Sequence, residues 1–293
     1  VKSKDVDGNT YEYKYDKIFN LTDIKYKDGT SMEMAYFGRD QNDSVQSVKD
    51  RDGTTTQYTY DWKRKESGFR SVGIKVLDKD GKRTISQSQY DYELKRKASG
   101  EEWTYKMVTT IDGDRTETIY NECCGLPLMI KRGAEETTFE YDAKGHVTKK
   151  TTPTEVTLLA YHPSLGKVTK VTRQSKVSKS GSSWSEFEYD GKGNLTFAKN
   201  SSNKGVKLFY DQNGRIKSMV DQDRRRIDFK YNENSKPVEI TDPQLGTIRV
   251  SYANSGEIKK VESTAGRKIA LQVTSAFQNL LDIIRPAGVS LSF

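Results

Sequence analysis

The chain has 293 residues, of which 33% are hydrophobic and 10% aromatic, with 17 Tyr and a formal net charge of +8. A low apolar share is typical of disorder, but tyrosine buries a large ring while counting as polar, so a folded chain with a tyrosine-rich core is expected. No stretch approaches the roughly 20 apolar residues of a membrane-spanning helix, so none is predicted.

Short strands with alternating apolar and polar residues begin near the N-terminus. Tyr11, Tyr13 and Tyr15 alternate with Glu12 and Lys14. Period-two alternation predicts a half-buried β-strand, and the tyrosine ends its buried face. The same alternation ends at three later tyrosines: Tyr36, Tyr231 and Tyr252.

Tyrosine followed by aspartate recurs along the chain. The copies are Tyr15-Asp16, Tyr60-Asp61, Tyr90-Asp91, Tyr141-Asp142, Tyr189-Asp190 and Tyr210-Asp211. Tyr189, Tyr210, Tyr231 and Tyr252 follow one another at intervals of 21 residues. The longer intervals between tyrosines from residue 60 to residue 120 indicate insertions. Fixed-period self-similarity predicts a single repeat array over residues 1–293, with about 11 or 12 units of roughly 21 residues.

The residues after each tyrosine favour a tight turn. An aspartate precedes a glycine by three positions at Asp142 and Gly145, Asp190 and Gly193, and Asp211 and Gly214. Aspartate can accept backbone N–H bonds within a turn, and glycine adopts the positive φ that closes it. An aliphatic residue such as Leu195 or Ile216 follows six residues after the tyrosine, where the partner strand is expected.

Residues 270–284 allow two interpretations. Val273, Phe277, Leu280 and Ile284 have helical spacing, which favours a short capping helix. Val273 also lies 21 residues after Tyr252, where the next tyrosine is due. Because the repeat register continues, we predict that residues 270–293 are a degenerate terminal repeat.

The Tyr-Asp turn with a glycine and an aliphatic residue resembles the YD-repeat (RHS/teneurin) family, most clearly at residues 189–195 and 210–216. The resemblance covers roughly residues 7–293. It implies an all-β fold of tandem hairpins that form a long antiparallel sheet wound into a spiral. Large family members form a shell around a toxic C-terminal domain or part of an adhesion receptor. This chain has no self-cleaving core segment like that of the toxin shells. With about 11 or 12 units the sheet is too short for a closed cavity, so we expect an open or partial spiral.

Recognisable catalytic and metal-binding motifs are absent from the sequence. Only two histidines occur, and no Cys/His cluster has metal-ligand spacing, so we expect neither a metal nor a cofactor. The repeated aspartates already have a structural role in turns, and we predict that the protein is not an enzyme. The adjacent Cys123 and Cys124 are interpreted as one packed thiol and one turn thiol, with a vicinal redox pair as the alternative.

Exposed aromatic and basic residues are the candidate binding positions. Trp62, Trp103 and Trp184 depart from the repeat, and exposed aromatics can stack on sugars or anchor a protein partner. The densest basic run is Arg224-Arg225-Arg226. Such runs bind acidic polymers in some proteins and are solvated turns in others.

Three functions remain open from the sequence. The favoured hypothesis is a secreted or cell-surface module that binds a glycan or a protein, because repeat arrays offer long surfaces. The second is a shell segment that encloses or displays a neighbouring effector domain. The third is a binder of acidic polymers or nucleic acid, which the mixing of charges disfavours.

Overall fold

The computed structural model describes residues 1–39, 42–61, 68–178, 181–264 and 266–284. These residues form 23 strands and one helix. The chain divides into two compact units, Val1–Phe139 and Glu140–Phe293. Within each unit, consecutive strands pair antiparallel. The predicted all-β class built from antiparallel hairpins is confirmed.

The strands of the first unit are β1 (Lys2–Lys4), β2 (Thr10–Tyr15), β3 (Leu21–Tyr26), β4 (Ser31–Tyr36), β5 (Val45–Lys49), β6 (Thr55–Asp61), β7 (Phe69–Leu77), β8 (Thr84–Arg96), β9 (Glu102–Ile111), β10 (Asp114–Tyr120) and β11 (Pro127–Arg132). The boundary between the units falls within β12 (Glu135–Tyr141). The second unit contains β13 (Val147–Thr151), β14 (Glu155–Tyr161), β15 (Val168–Ser175), β16 (Ser183–Tyr189), β17 (Leu195–Asn200), β18 (Gly205–Tyr210), β19 (Ile216–Asp221), β20 (Arg226–Tyr231), β21 (Pro237–Asp242), β22 (Gly246–Tyr252), β23 (Ile258–Ser263) and α1 (Arg267–Ile284).

A register shift directly before the tyrosine is a recurring feature of the hairpins. In β18 and β19 it falls between Phe209 and Tyr210, and Tyr210 then lies opposite Ile216. A bulge of this kind bends the strand and increases its twist. The shift recurs before seven other tyrosines: Tyr15, Tyr36, Tyr120, Tyr161, Tyr189, Tyr231 and Tyr252.

The tyrosine hydroxyl connects each hairpin to the hairpin before it. The Tyr210 hydroxyl donates to the Leu195 carbonyl at 2.8 Å, and the Tyr231 hydroxyl donates to the Ile216 carbonyl at 2.8 Å. Both acceptors are the first residues of the preceding strand. Equivalent bonds are made by Tyr36, Tyr161, Tyr189 and Tyr252. The tyrosine hydroxyl therefore adds a side-chain bond to the preceding hairpin, across the ladder on the other side of its strand from the bulge.

The long tyrosine spacing in the first unit corresponds to long strands. β8 has 13 residues and β9 has 10, against six in most strands of the second unit. Tyr90-Asp91, grouped with the repeat positions by sequence, does not start a turn here. Asp61 and Asp91 both pair with Ser71 inside the sheet, because the strands continue past the tyrosine.

Residues 267–284 form a helix, so the degenerate hairpin predicted from residue 270 is wrong over this stretch. The repeat register placed a strand near Val273, but the apolar residues follow the three- and four-residue spacing of a helix face. Residues 285–293, the rest of the predicted terminal repeat, lie outside the described residues.

The buried side of α1 packs against the inner face of the second unit. Leu280 and Ile283 are fully buried, and the rings of Phe277 and Phe229 lie 5.8 Å apart edge to face. The helix contacts β17, β18 and β22. The Ser185 hydroxyl on β16 also donates to the Ile283 carbonyl at 3.0 Å. This helix completes a core that the strands alone leave open to solvent.

Replacing Tyr210 by Phe tests the connection between hairpins. The variant loses the hydroxyl bond to Leu195 and leaves a half-buried carbonyl without it, so we expect a loss of about 1 kcal/mol in unfolding free energy. Urea unfolding of the full chain measures the change. Tyr13→Phe is the control, because its hydroxyl has only a 3.3 Å contact with Ser3 at an exposed site. Equal urea midpoints for the two variants would contradict the stabilising role of the bond.

Candidate functional site

Each repeat turn is organised by one carboxylate. Oδ1 of Asp190 accepts the backbone N–H groups of Lys192 at 2.9 Å and Asn194 at 2.8 Å. Oδ2 of Asp190 accepts the side-chain amide of Asn194 at 2.9 Å. Gly193 completes the turn with a φ of 85°. The aspartate thus satisfies three donors that the turn leaves outside the sheet ladder.

The same arrangement recurs with different side chains four residues after the aspartate. The Nδ1 of His146 donates to Asp142 at 3.0 Å, and Arg215 pairs with Asp211. It also occurs at Asp5 and Asp221, which the sequence analysis missed because no tyrosine precedes either one. The overlooked signal is the polar side chain at the fourth position after the aspartate.

Hydrogen bonds lower the pKa of the aspartate carboxyl groups in these turns. The Asn194 side-chain amide lowers the pKa of Asp190, assisted by the backbone N–H groups and opposed by burial. The pKa of Asp5 is lowered in the same way by the Asn9 side chain. The carboxylates are therefore fixed structural acceptors in the charged form.

Arg224 and Arg225 lie in the turn between β19 and β20, and Arg226 is the first residue of β20. Arg225 pairs with Asp221 at 2.9 Å and with Asp223 at 2.6 Å, and its guanidinium also reaches Gln272 on α1 at 3.4 Å. Arg226 pairs with Asp228 at 2.8 Å, and Arg224 is exposed with a φ of 62°. Two of the three arginines are thus engaged by neighbouring carboxylates. This arrangement disfavours a phosphate-binding patch, which needs cationic groups free to replace counterions.

Trp184 lies on β16 among charged side chains. Its ring centroid is 5.6 Å from the Lys170 ammonium and 5.4 Å from that of Lys199. Both lysines also form ion pairs with Glu186, at 2.8 Å and 2.9 Å. The half-buried ring is flanked by two cations, an arrangement that stabilises both lysines and covers part of the aromatic face.

Trp103 lies on β9 in the first unit, beside a surface concavity of about 490 Å³. Its ring packs edge to face on Tyr105, with centroids 5.9 Å apart. Tyr92 and Tyr120 line the same concavity. Trp103 and Trp184 lie in different units, and Trp62 lies outside the described residues.

Cys123 and Cys124 also border this concavity, in the turn after β10. Both residues are exposed, and their sulfur atoms are joined as a disulfide. The interpretation as one packed thiol and one turn thiol is therefore wrong, because a single turn presents both side chains at the surface. Asn121 fixes this turn by accepting the backbone N–H of Leu126 at 2.9 Å.

Carboxylates are numerous but dispersed. Across residues 1–39, 42–61, 68–178, 181–264 and 266–284, no group of three or more His, Cys, Asp or Glu side chains is placed to hold a metal ion. In that same part of the chain, no helix is long and apolar enough to cross a membrane.

Comparison with protein families connects the tyrosine turns to a known architecture. The family model described as Teneurin YD-shell matches residues 180–293. Residues 180–293 are therefore similar to a Teneurin YD-shell. The YD-repeat resemblance predicted from the tyrosine turns is confirmed over this part of the chain. A search of curated proteins finds no significant match to this chain.

Two solved structures are among those similar to this chain. The crystal structure of TcdB2-TccC3-TEV has a TM-score of 0.43 and 11% identity, and the match covers 90% of this chain and 16% of that one. The Photorhabdus luminescens Tc holotoxin pore has a TM-score of 0.27 and 12% identity, over 88% of this chain and 18% of that one. The chain spans less than a fifth of the length of either protein.

Asp190→Ala tests the carboxylate that organises the turn after Tyr189. The folded-state pKa is lowered, so its stabilisation is present above the unfolded pKa of about 3.9 and is lost as the pH falls through the folded value. We expect a lower urea midpoint than wild type at pH 7, and a difference that shrinks below about pH 4.

The matched control is Asp114→Ala, which removes an exposed carboxylate at the start of β10. Its urea midpoint should stay near that of wild type at both pH values. A constant difference between Asp190→Ala and wild type from pH 7 to pH 2 would show that the charged form of Asp190 does not stabilise the turn.

Proposed function

We propose that this chain is a non-enzymatic structural segment of a YD-type shell, secreted or displayed at the cell surface, which encloses or displays a neighbouring domain. The observation that carries the proposal is the hydroxyl-to-carbonyl bond that joins successive hairpins, as at Tyr210 and Tyr231. These bonds extend the array one hairpin at a time in the part of the chain that matches the YD-shell family. A wall built in this way is suited to surround or support another domain.

The use of charged groups supports a structural function. Asp190, Asp211 and Asp221 are engaged by turn N–H groups. On the strands, Glu239 pairs with Lys230 and Arg249 at 2.7 Å and 3.1 Å. Carboxylates committed to such contacts are poor candidates for acid–base catalysis, which needs groups that can reach a substrate proton. The charged side chains that give the net charge of +8 are thus distributed over the sheet surface and not gathered in a reactive centre.

Protease protection tests the shell function in the full-length gene product. We expect the domain adjoining residues 1–293 to resist digestion under native conditions, because the wall limits access to it. The same domain expressed alone is the control, and it should be cleaved faster. Equal cleavage rates, or a gene product with no adjoining domain, would contradict an enclosing or displaying function.

Recognition of a glycan or protein is the second candidate, and Trp184 favours it. Its ring is only half-buried, so part of the aromatic surface is open to stack on a sugar or to contact a protein partner. Trp103, beside its concavity, offers a separate surface for the same kind of partner.

A binding screen against envelope polysaccharides, acidic polymers and DNA at physiological salt tests this candidate. If Trp184 contacts the ligand, Trp184→Ala should weaken saturable binding by about tenfold or more. The control is Phe209→Ala, which removes an aromatic side chain that is 49% exposed on β18. No binding across the panel, or equal binding by both variants, removes Trp184 as a recognition residue.

A further inference from the structure

The disulfide between Cys123 and Cys124 joins two neighbouring residues. A disulfide stabilises a fold mainly by closing a loop in the unfolded chain, and the effect grows with the number of residues in that loop. Adjacent cysteines enclose no intervening residue, so this bond adds little to the stability of the fold. Its position in the sequence favours a chemical role over a structural one.

Other contacts hold the turn that contains the pair. The Asn121 side-chain oxygen accepts the backbone N–H groups of Leu126 at 2.9 Å and Cys124 at 3.3 Å. The Asn121 backbone N–H donates to the Leu126 carbonyl at 2.9 Å, and Gly125 has a φ of 66°. None of these contacts uses a sulfur atom, so the turn persists when the disulfide opens.

The position of the pair makes it accessible to a thiol. Both cysteines are exposed and border the concavity beside Trp103. Thiol–disulfide exchange requires a thiolate to reach one of the sulfur atoms, so exposed disulfides react more readily than buried ones. Because the residues are neighbours, their Cα atoms are only 3.8 Å apart, below the usual minimum of about 4.4 Å, and disulfides outside the usual range are more easily reduced.

We propose that Cys123 and Cys124 are a reversible thiol–disulfide modification site, and that its reaction partner is a small-molecule thiol such as glutathione. Residues 1–293 contain no third cysteine, so the partner thiol comes from outside this stretch. The site does not depend on the proposed shell function.

The exchange proceeds in two steps. The thiolate of the small molecule attacks one cysteine sulfur, forms a mixed disulfide with it and releases the other cysteine as a thiolate. A second small thiolate attacks the small-molecule sulfur of the mixed disulfide and releases the first cysteine. The two cysteine thiolates take up the protons that the two small thiols lost. The products are a protein dithiol and the disulfide of the small thiol, which reverses the reaction when it is in excess.

Opening the bond changes one wall of the concavity. The disulfide ties the two side chains to each other, whereas two thiols rotate independently and each carries a weak hydrogen-bond donor. Trp103, Tyr92 and Tyr120 line the same concavity. The surface that these aromatic rings share with the cysteines therefore differs in shape and polarity between the oxidised and the reduced chain.

Thiol labelling of the folded full chain measures the exchange. The chain is incubated with excess glutathione at neutral pH and then with N-ethylmaleimide, and intact mass spectrometry counts the labels. We expect no label before glutathione, two labels per chain after it, and none after the reduced chain is returned to glutathione disulfide. The double variant Cys123→Ser, Cys124→Ser is the control and should take no label.

Urea unfolding separates a modification site from a structural disulfide. The reduced chain should have the same urea midpoint as the oxidised chain, because Asn121 and Gly125 still hold the turn. The double serine variant should share that midpoint. Non-reducing electrophoresis of the oxidised chain should show only the monomer mass, since the bond lies within one chain.

Tryptophan emission reports the change in the concavity. Reduction should alter the intrinsic fluorescence of wild type, because indole emission responds to the groups around the ring. The change should be lost in Trp103→Phe. Trp184→Phe is the matched control, since Trp184 lies in the other unit, and it should keep the change.

Several results would overturn the inference. Labels that appear only after urea denatures the chain, or two labels that glutathione disulfide never removes, would show that the pair does not exchange reversibly in the folded state. A lower urea midpoint on reduction would make the disulfide structural, and a covalent dimer would place the bond between copies. Emission that is unchanged in wild type, or a change that persists in Trp103→Phe, would separate the cysteines from the concavity.

Discussion

The hydrogen bond from the repeat tyrosine to the carbonyl of the preceding strand is the interaction on which the fold depends. A single hairpin buries too little surface to be stable alone. The bulge before the tyrosine interrupts the ladder within its own hairpin, and the hydroxyl of the same tyrosine bonds to the hairpin before it, as between Tyr210 and Leu195. The aspartate that follows the tyrosine then shapes the turn, so one dipeptide organises both the sheet and its loop.

The two units complete their inner faces differently. In the second unit α1 covers the sheet, and residues such as Met219 and Ile227 are almost fully buried. Among the described residues of the first unit, only Leu77 and Thr118 are buried. Half-buried tyrosines such as Tyr58 and Tyr60 stack on one another along the strands instead. The second unit therefore has a dry core, whereas the first relies on aromatic contacts at a partly hydrated face.

The strands were predictable because their signal is local. Alternation up to Tyr231 or Tyr252 fixes the buried side of each strand without knowledge of its neighbours. The helix was not predicted, because the repeat register outweighed its three- and four-residue apolar spacing. The candidate binding residues were harder still, since exposure and pairing depend on distant contacts. The engagement of Arg225 with Asp221 and Gln272 joins a turn to α1, 47 residues away, and no local pattern shows this.

Hydrogen–deuterium exchange of wild type and Tyr210→Phe tests the central claim that successive hairpins stabilise one another through the tyrosine bond. The account predicts the slowest exchange in β17 to β20, where α1 and the tyrosine bonds act together, and faster exchange in β23. In Tyr210→Phe, exchange should accelerate in β17 and β18 and remain unchanged in β3 and β4. Unchanged exchange in β17 and β18, or equal acceleration along the whole chain, would contradict it.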